Sequence, residues 1–564
     1  MNKIKNFTDK YGYPIITVLV ILFFSFWCGQ HYGSLFSDRG RELLIPEEIL
    51  NGKVPYKDIT LIYFPLGFYI NALFYKIMGV SLNTLLTTQT VLSVLYMLGF
   101  YFLSKEFLSK STSFLLTLFI ILSCIFAPND LFSMIFPYSY ARTYGIMASF
   151  LCVFCFIKLF KTDNIKYLYI SAVATGFALS CKIEFLSTVL FLIIALFLYK
   201  KLNFKQYLKI FFSVLIFPIL TAGILIYQGV TLNNIIDAIN FGINFATTDV
   251  MREFLSGSGL YPLGISEKIE TLKVVLPVLT EIILLSFIAF KLDKHFSKRY
   301  FSILFIPIIF YFGFNTYAVQ TFWILLPYAV LIVFIIYLKD NLNNNKTLFI
   351  LFFAALLFGQ REFFRLTLNA YGVYSFPLFI LSLCIMFDRY FPKYFTGIEI
   401  KKFVNYILLI LIIIQFNILA QPIGLRSVPI ITEKGTIYTK PEFADIITDT
   451  IGYIDKNISK NETILVLPEG TLINYLTDRK TDMHCFMLDR LYHDAYGEEN
   501  AKNIIANTNS DYIILLKGFD LNNFYRPYLY NKKSTLSAKY IYQNYSKIKH
   551  FQGVYDDVII LKKK

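Results

Sequence analysis

No glycine-rich phosphate loop follows an apolar strand in this 564-residue chain, so nucleotide binding lacks its usual cradle. No internal repeat can be found, and the paired halves expected of an alternating-access transporter are missing with it. Cysteine supplies no framework either. Cys28, Cys124, Cys152, Cys155, Cys181 and Cys384 lie inside apolar runs and only Cys485 sits in polar sequence, which implies no disulfide scaffold. The CxxC spacing of Cys152 and Cys155 reads as two small packing residues on a helix. His484 and His493 have no metal-ligand spacing, so no metal is assigned to them. The basic N-terminus leads into an apolar run without a small-residue cleavage site, and an uncleaved first helix is predicted.

What is present is apolar. Hydrophobic residues make up 56% of the chain and its mean hydropathy is +0.56, above the roughly 45–50% apolar content of soluble domains. The formal charge of +15 comes from short Lys and Arg clusters between apolar runs. That distribution fits the positive-inside rule and not a nucleic-acid surface. The 59 Phe and 41 Tyr read as lipid-facing packing and interfacial belts. A hydrocarbon core about 30 Å thick needs about 20 helical residues. On that scale about thirteen spans are predicted, near 13–30, 85–103, 113–127, 144–159, 167–180, 185–199, 210–228, 272–290, 301–316, 321–338, 348–359, 373–387 and 403–420.

Alternate loops differ sharply in basic residues. One side takes the N-terminus and the Lys105, Lys161, Lys200, Lys291 and Arg389 clusters, and is assigned to the cytoplasm. The other takes the opening loop, 31–84, the loop with Asp130, the Lys182 turn, the stretch 229–270, the Arg361 turn and everything after 420. A multi-pass cell-membrane protein with a cytoplasmic N-terminus is predicted. Its domains are a membrane part over 1–420 and a small extracytoplasmic α/β domain over 421–564, hung outside the bilayer. In that domain ETILVLPE, DYIILL and DDVIILKKK read as strands and EENAKNIIANTN as a helix.

Charges kept near membrane depth mark a functional site by default, and here they share the outer side: Asp38, Asp130, Arg142, Lys182, Glu184, Arg361 and Arg365. The opening loop holds Asp38, Arg41-Glu42, a short helix ending at Asn51-Gly52, Pro55-Tyr56-Lys57-Asp58, Tyr63-Phe64-Pro65 and the amphipathic GFYINALFYKIMG. In this order it resembles the first external loop of membrane glycosyltransferases of the C superfamily. The nearest branch is the bacterial one akin to protein O-mannosyltransferases and lipid A aminoarabinose transferases.

The resemblance implies a GT-C-like fold and inverting transfer of a sugar from a polyprenyl-phosphate donor to a cell-envelope acceptor. That acceptor is a glycolipid, a glycan or a protein. An acceptor hydroxyl needs a carboxylate to take its proton, and a departing phosphate needs cations or donors. Asp38 carries over as the base, with Glu42 its rival. Arg39 stands after Asp38 where the aminoarabinose enzymes carry an acidic pair. Lys182, Arg361, Arg365 and Arg142 are candidates for the donor phosphate, and Asp58, Tyr63, Asp130 and Glu184 for substrate contacts. No cofactor is implied beyond a possible divalent cation at the phosphate.

Each residue has a plainer role open to it. Asp38 can cap the helix after it, Glu42, Glu47 and Glu48 can form a solvated helix face, and Asp58 can be a turn residue. Lys182 can snorkel or tie to Glu184, and Arg361 and Arg365 can bind lipid headgroups. The alternative function is a lipid or glycan transporter, or flippase, without transfer chemistry.

Overall fold

The computed structural model describes residues 2–32, 39–127, 133–252, 326–341, 345–360, 371–389, 400–517, 535–553 and 557–564, with scattered positions between 273 and 291. The predicted span 301–316, most of 272–290 and the start of 321–338 lie outside the described residues.

Within them the apolar runs are helical, as backbone in hydrocarbon must be to satisfy its own N–H and C=O groups. In chain order they begin with α1 (Asn2–Cys28), α2 (Arg39–Leu50), α3 (Leu66–Met78), α4 (Leu82–Ser104) and α5 (Lys110–Ile120). Next come α6 (Tyr140–Thr162), α7 (Lys166–Cys181), α8 (Leu186–Tyr199), α9 (Phe204–Tyr227) and α10 (Leu232–Thr247). Leu326–Asn341, Lys346–Phe358, Phe376–Arg389 and Ile400–Leu425 follow. Five described helices are long and apolar enough to cross a membrane. Small polar residues start several of them: the Ser81 hydroxyl accepts from Thr84 N–H at 3.1 Å, and Asn203 and Gln206 form a capping box at α9.

Two expectations are corrected. The run 113–127 is not one regular helix, because α5 passes at Ile121–Ile125 into a π turn, the single-turn irregularity that proteins often place near sites. The stretch 229–270 is not all loop, since α10 occupies Leu232–Thr247 and is opened by a Thr231–Asn234 capping box.

Helix α6 runs through the centre of the bundle. Gly67 of α3 lies so close that a Cβ there would sit 2.8 Å from Ala141 Cα, and Ser149 shares a 2.6 Å hydrogen bond with Thr188 of α8. At its C-terminal end Lys158 and Lys161 both bind Glu106, and Asp163 in the turn beyond pairs with Lys201 at 2.7 Å. Arg142 is at the N-terminal end, roughly 29 Å away at 1.5 Å per residue. The lysine-rich turns and Arg142 therefore occupy opposite ends of one helix.

After Ile400–Leu425 come the antiparallel pair β1 (Val428–Thr432) and β2 (Gly435–Thr439) and the helix Pro441–Asn457. The second sheet is built from β3 (Ile464–Leu467), β4 (Tyr512–Lys517), β5 (Tyr545–Gln552) and β6 (Asp557–Lys563), in the order β3-β4-β6-β5. β3 and β4 are parallel with Val466 opposite Ile514, and β6 runs antiparallel to both its neighbours. Strand β3, apolar at all four positions, is wholly buried. Edge strand β5 exposes Lys547 and Lys549, charges that discourage pairing with another chain.

This region is not hung free. Leu82 N–H donates to the Lys434 carbonyl at 2.9 Å, the Tyr75 and Tyr475 hydroxyls lie 3.2 Å apart, and His31 stacks on Tyr438 at 4.0 Å. One continuous set of buried apolar side chains joins Leu43 and Ile45 to Leu472, Tyr475 and Ile514. Helix α2 of the opening loop is thus packed between the helix bundle and the C-terminal region.

Candidate functional site

The site is assembled from the opening loop, the turn before α6 and the break between α7 and α8. Residues 54–63 form a tight knot. Tyr56 takes a positive φ of 67°, its N–H donates to the Ile59 carbonyl at 2.8 Å, and its hydroxyl donates to the Tyr63 carbonyl at 2.8 Å. The Asp58 carboxylate accepts from Val54 N–H at 2.9 Å. Asp58 is therefore engaged within its own turn, and what the knot presents to the bundle is Tyr63.

Lys182 ends α7 in extended conformation, φ −154° and ψ 146°, and a short turn over Ile183–Phe185 leads into α8. That break directs the buried lysine at aromatic faces. Its Nζ lies 4.1 Å from the Tyr63 ring centroid and 5.6 Å from that of Tyr138. Arg41 approaches the Tyr63 ring too, at 5.7 Å, and donates to Met487 Sδ at 3.0 Å. Arg142, in the first turn of α6, donates to the Tyr138 hydroxyl at 3.2 Å and lies 4.6 Å over the Tyr374 ring. Its Nε is 3.5 Å from Glu184 Oε1. The expected Lys182–Glu184 tie is replaced by an Arg142–Glu184 pair, because the turn sends the two side chains to different neighbours.

Three cations, Arg41, Lys182 and Arg142, thus share a wall of phenol rings, with Glu184 paired to Arg142. Ring faces attract cations without neutralising them. Beside it Arg142, Glu184, Ser149, Ser187 and Gln360 line the polar part of a small cleft, and Ile146, Phe185 and Phe358 its apolar part.

Glu42 corrects a second expectation. Glu42 and Glu48 are only 1% and 5% exposed, so α2 offers no solvated acidic face: the C-terminal region covers it. The Glu42 carboxylate accepts from Tyr140 N–H at 3.0 Å and caps α6, whose own Ser139 makes no side-chain cap. Glu48 pairs with Lys53 at 2.5 Å, and Glu47 pairs with Lys434. Burial raises the Glu47 pKa, against the lowering effect of Lys434.

Tyr63, Arg142, Lys182 and Glu184 are brought together, and Glu42 reaches the same end of α6. Asp38, Asp130, Arg361 and Arg365 lie outside the described residues. Sequence reasoning missed Arg41, Tyr138 and Tyr374 as members. Arg41 stands in the charged stretch itself, and Tyr138 in the aromatic run PYSYART before α6; Tyr374 carries no such signal. His484 accompanies Thr60 at 2.9 Å and His493 accompanies Ser537 at 3.3 Å, two separate places. Among the described residues no three His, Cys, Asp or Glu side chains are gathered to hold a metal ion. Of the described carboxylates here, Glu42 accepts from a helix N–H and Glu184 pairs with Arg142.

No family model matches the chain, and no curated protein matches it in sequence. Among solved structures it is similar to ArnT from Cupriavidus metallidurans bound to undecaprenyl phosphate. That match has 9% identity and a TM-score of 0.47 and covers 98% of each chain. It is also similar to the archaeal oligosaccharyltransferase AglB from Archaeoglobus fulgidus in complex with an inhibitory peptide and a dolichol-phosphate. There the identity is 14% and the TM-score 0.45, over 90% of this chain and 70% of that one. At TM-scores below 0.5 these likenesses carry no functional weight, and the function below rests on the chain's own residues.

Proposed function

We propose that the chain is an inverting, polyprenyl-phosphate-sugar-dependent glycosyltransferase acting on a cell-envelope acceptor at the outer membrane face. The observation that carries this reading is the cluster of Arg41, Lys182 and Arg142 around Tyr63 and Tyr138. It joins the opening loop, whose sequence resembles that of such transferases, to the basic turn at the end of α7.

In the reaction the acceptor oxygen bonds to the anomeric carbon as the bond from that carbon to the phosphate oxygen breaks. The electron pair leaves with the phosphate, and the acceptor proton passes to a carboxylate. Lys182, a compact point charge held against phenol faces, takes the developing phosphate charge together with Arg41. Arg142, paired with Glu184, orients the Tyr138 hydroxyl toward the same space. Asp38, at the acidic position that the resemblance gives it, is the proposed base, with Glu42, whose Oε2 accepts from Tyr140 N–H, its rival.

The test is transfer by purified protein from a radiolabelled polyprenyl-phosphate sugar. Lys182→Met is expected to lower the rate by about 10²–10³-fold, as removal of one preorganised donor does. Asp38→Asn is expected to lower it by about 10²–10⁴-fold. Undiminished transfer by Asp38→Asn would remove it as the base. Binding of donor without transfer by wild type would leave the transporter reading.

A further inference from the structure

Helix α10 directly follows the spanning helix α9 and has three distinct faces. Ile235, Ala238, Phe241 and Phe245 form the packed one. Phe241 stacks on Tyr496 at 4.4 Å and Phe245 meets Tyr492 edge-on at 5.0 Å, both in the C-terminal region. At the other end Ile235 packs on a small apolar cluster of Val54, Leu225 and Val230 that belongs to the opening loop and the top of α9. A polar face carries Asn233, Asp237, Asn240 and Asn244, all exposed.

The third face has no covering among the described residues. Leu232, Ile236, Ile239 and Ile243 recur at four- and three-residue steps and so lie in one line on a helix. They are 71%, 43%, 55% and 56% exposed. A continuous aliphatic stripe of this kind marks a contact surface. Its place in the fold says with what. The exposed side chains of α9, among them Ile219 and Ile226, belong to a helix apolar enough to cross a membrane. The chain then turns over Gln228 to Val230, with Gly229 at φ +82°, straight into α10. The stripe therefore begins where a lipid-facing surface ends.

We propose that α10 lies along the bilayer surface with Leu232, Ile236, Ile239 and Ile243 among the acyl chains, and so ties the C-terminal region and the opening loop to the membrane. Insertion of one apolar face is the mode of interfacial helices. The usual basic flank is missing: Asp237 is the one charged residue in the helix. Apolar burial alone holds it, with no contribution from anionic lipid.

The full chain carrying Ile239→Trp or Asn240→Trp, reconstituted in phosphatidylcholine vesicles with and without brominated acyl chains, tests this. After subtraction of the parent protein's tryptophan signal, brominated lipid is expected to quench the Ile239→Trp emission at least about twofold and to leave Asn240→Trp unchanged. Ile236→Trp repeats the first result if the other variant folds poorly. Replacing a third of the lipid with phosphatidylglycerol is expected to change nothing. Absence of quenching at both 236 and 239 overturns the proposal, and a cross-linked dimer in that case assigns the stripe to a second copy. Equal quenching at 240, or dependence on anionic lipid, overturns it as well.

Discussion

Arg39 is buried to 3% exposure, with its guanidinium 3.6 Å over the Phe136 ring. No carboxylate among the described residues pairs with it, and its Nε has no hydrogen-bond partner. Burial pushes its pKa down, and Arg426 nearby adds to that direction. An uncompensated buried charge costs stability that a ring face only partly offsets. Arg39→Met, which keeps the stem and removes the charge, is expected to stabilise the protein by about 1–4 kcal/mol. Thermal unfolding of the detergent-solubilised protein checks this; a loss of stability would mean that the guanidinium has a counter-charge in the folded protein. The sequence marked Arg39 only as a departure beside Asp38, because nothing local foretells that Phe136 is packed above it.

At the scale of elements, the contact between α2 and the C-terminal region depends on one close approach. A Cβ on Gly40 would lie 2.2 Å from Leu472 N and 2.7 Å from Thr471 Oγ1. Backbone on both sides cannot give way as a side chain can. Gly40→Ala is expected to destabilise the docked arrangement by about 1–3 kcal/mol, read as faster hydrogen exchange over 471–477. Gly223→Ala, where a Cβ would meet nothing within 4 Å, is the control and should exchange like wild type. Unchanged exchange in Gly40→Ala would show that the two elements are not tightly docked. The helices of the bundle were legible because long apolar runs in lipid have one way to satisfy their backbone. Helix α10 was passed over although Leu232, Ile236, Ile239 and Ile243 recur at helical steps, because its 16 residues with five Asn and Asp fall short of a membrane span.

For the molecule as a whole, two histidines link acidity to the C-terminal region. Burial holds His484, beside Thr60 of the opening loop, below its ordinary pKa, and does the same for His493, whose Glu498 and Asp494 neighbours act weakly in the other direction. The unfolded chain then binds protons that the folded one resists. Their contribution is intact above the unfolded value of about 6.5 and declines as pH falls below it. Thermal unfolding midpoints are expected to drop between pH 7 and pH 5, with a shallower drop in His484→Gln; an identical slope in that variant would show that His484 does not contribute.

The sequence by itself determined most of the apolar helices among the described residues and the strands β3, β4 and β6, since each follows from local composition and period; it missed β1, β2 and β5. It also placed Tyr63, Arg142, Lys182 and Glu184 on a common side. Only the tertiary structure decided their partners: Lys182 faces phenol rings, Glu184 goes to Arg142, Glu42 caps α6, and Asp58 closes its own turn. Those pairings depend on how the bundle, α2 and the C-terminal region pack together, contacts between residues up to hundreds of positions apart that no local pattern specifies.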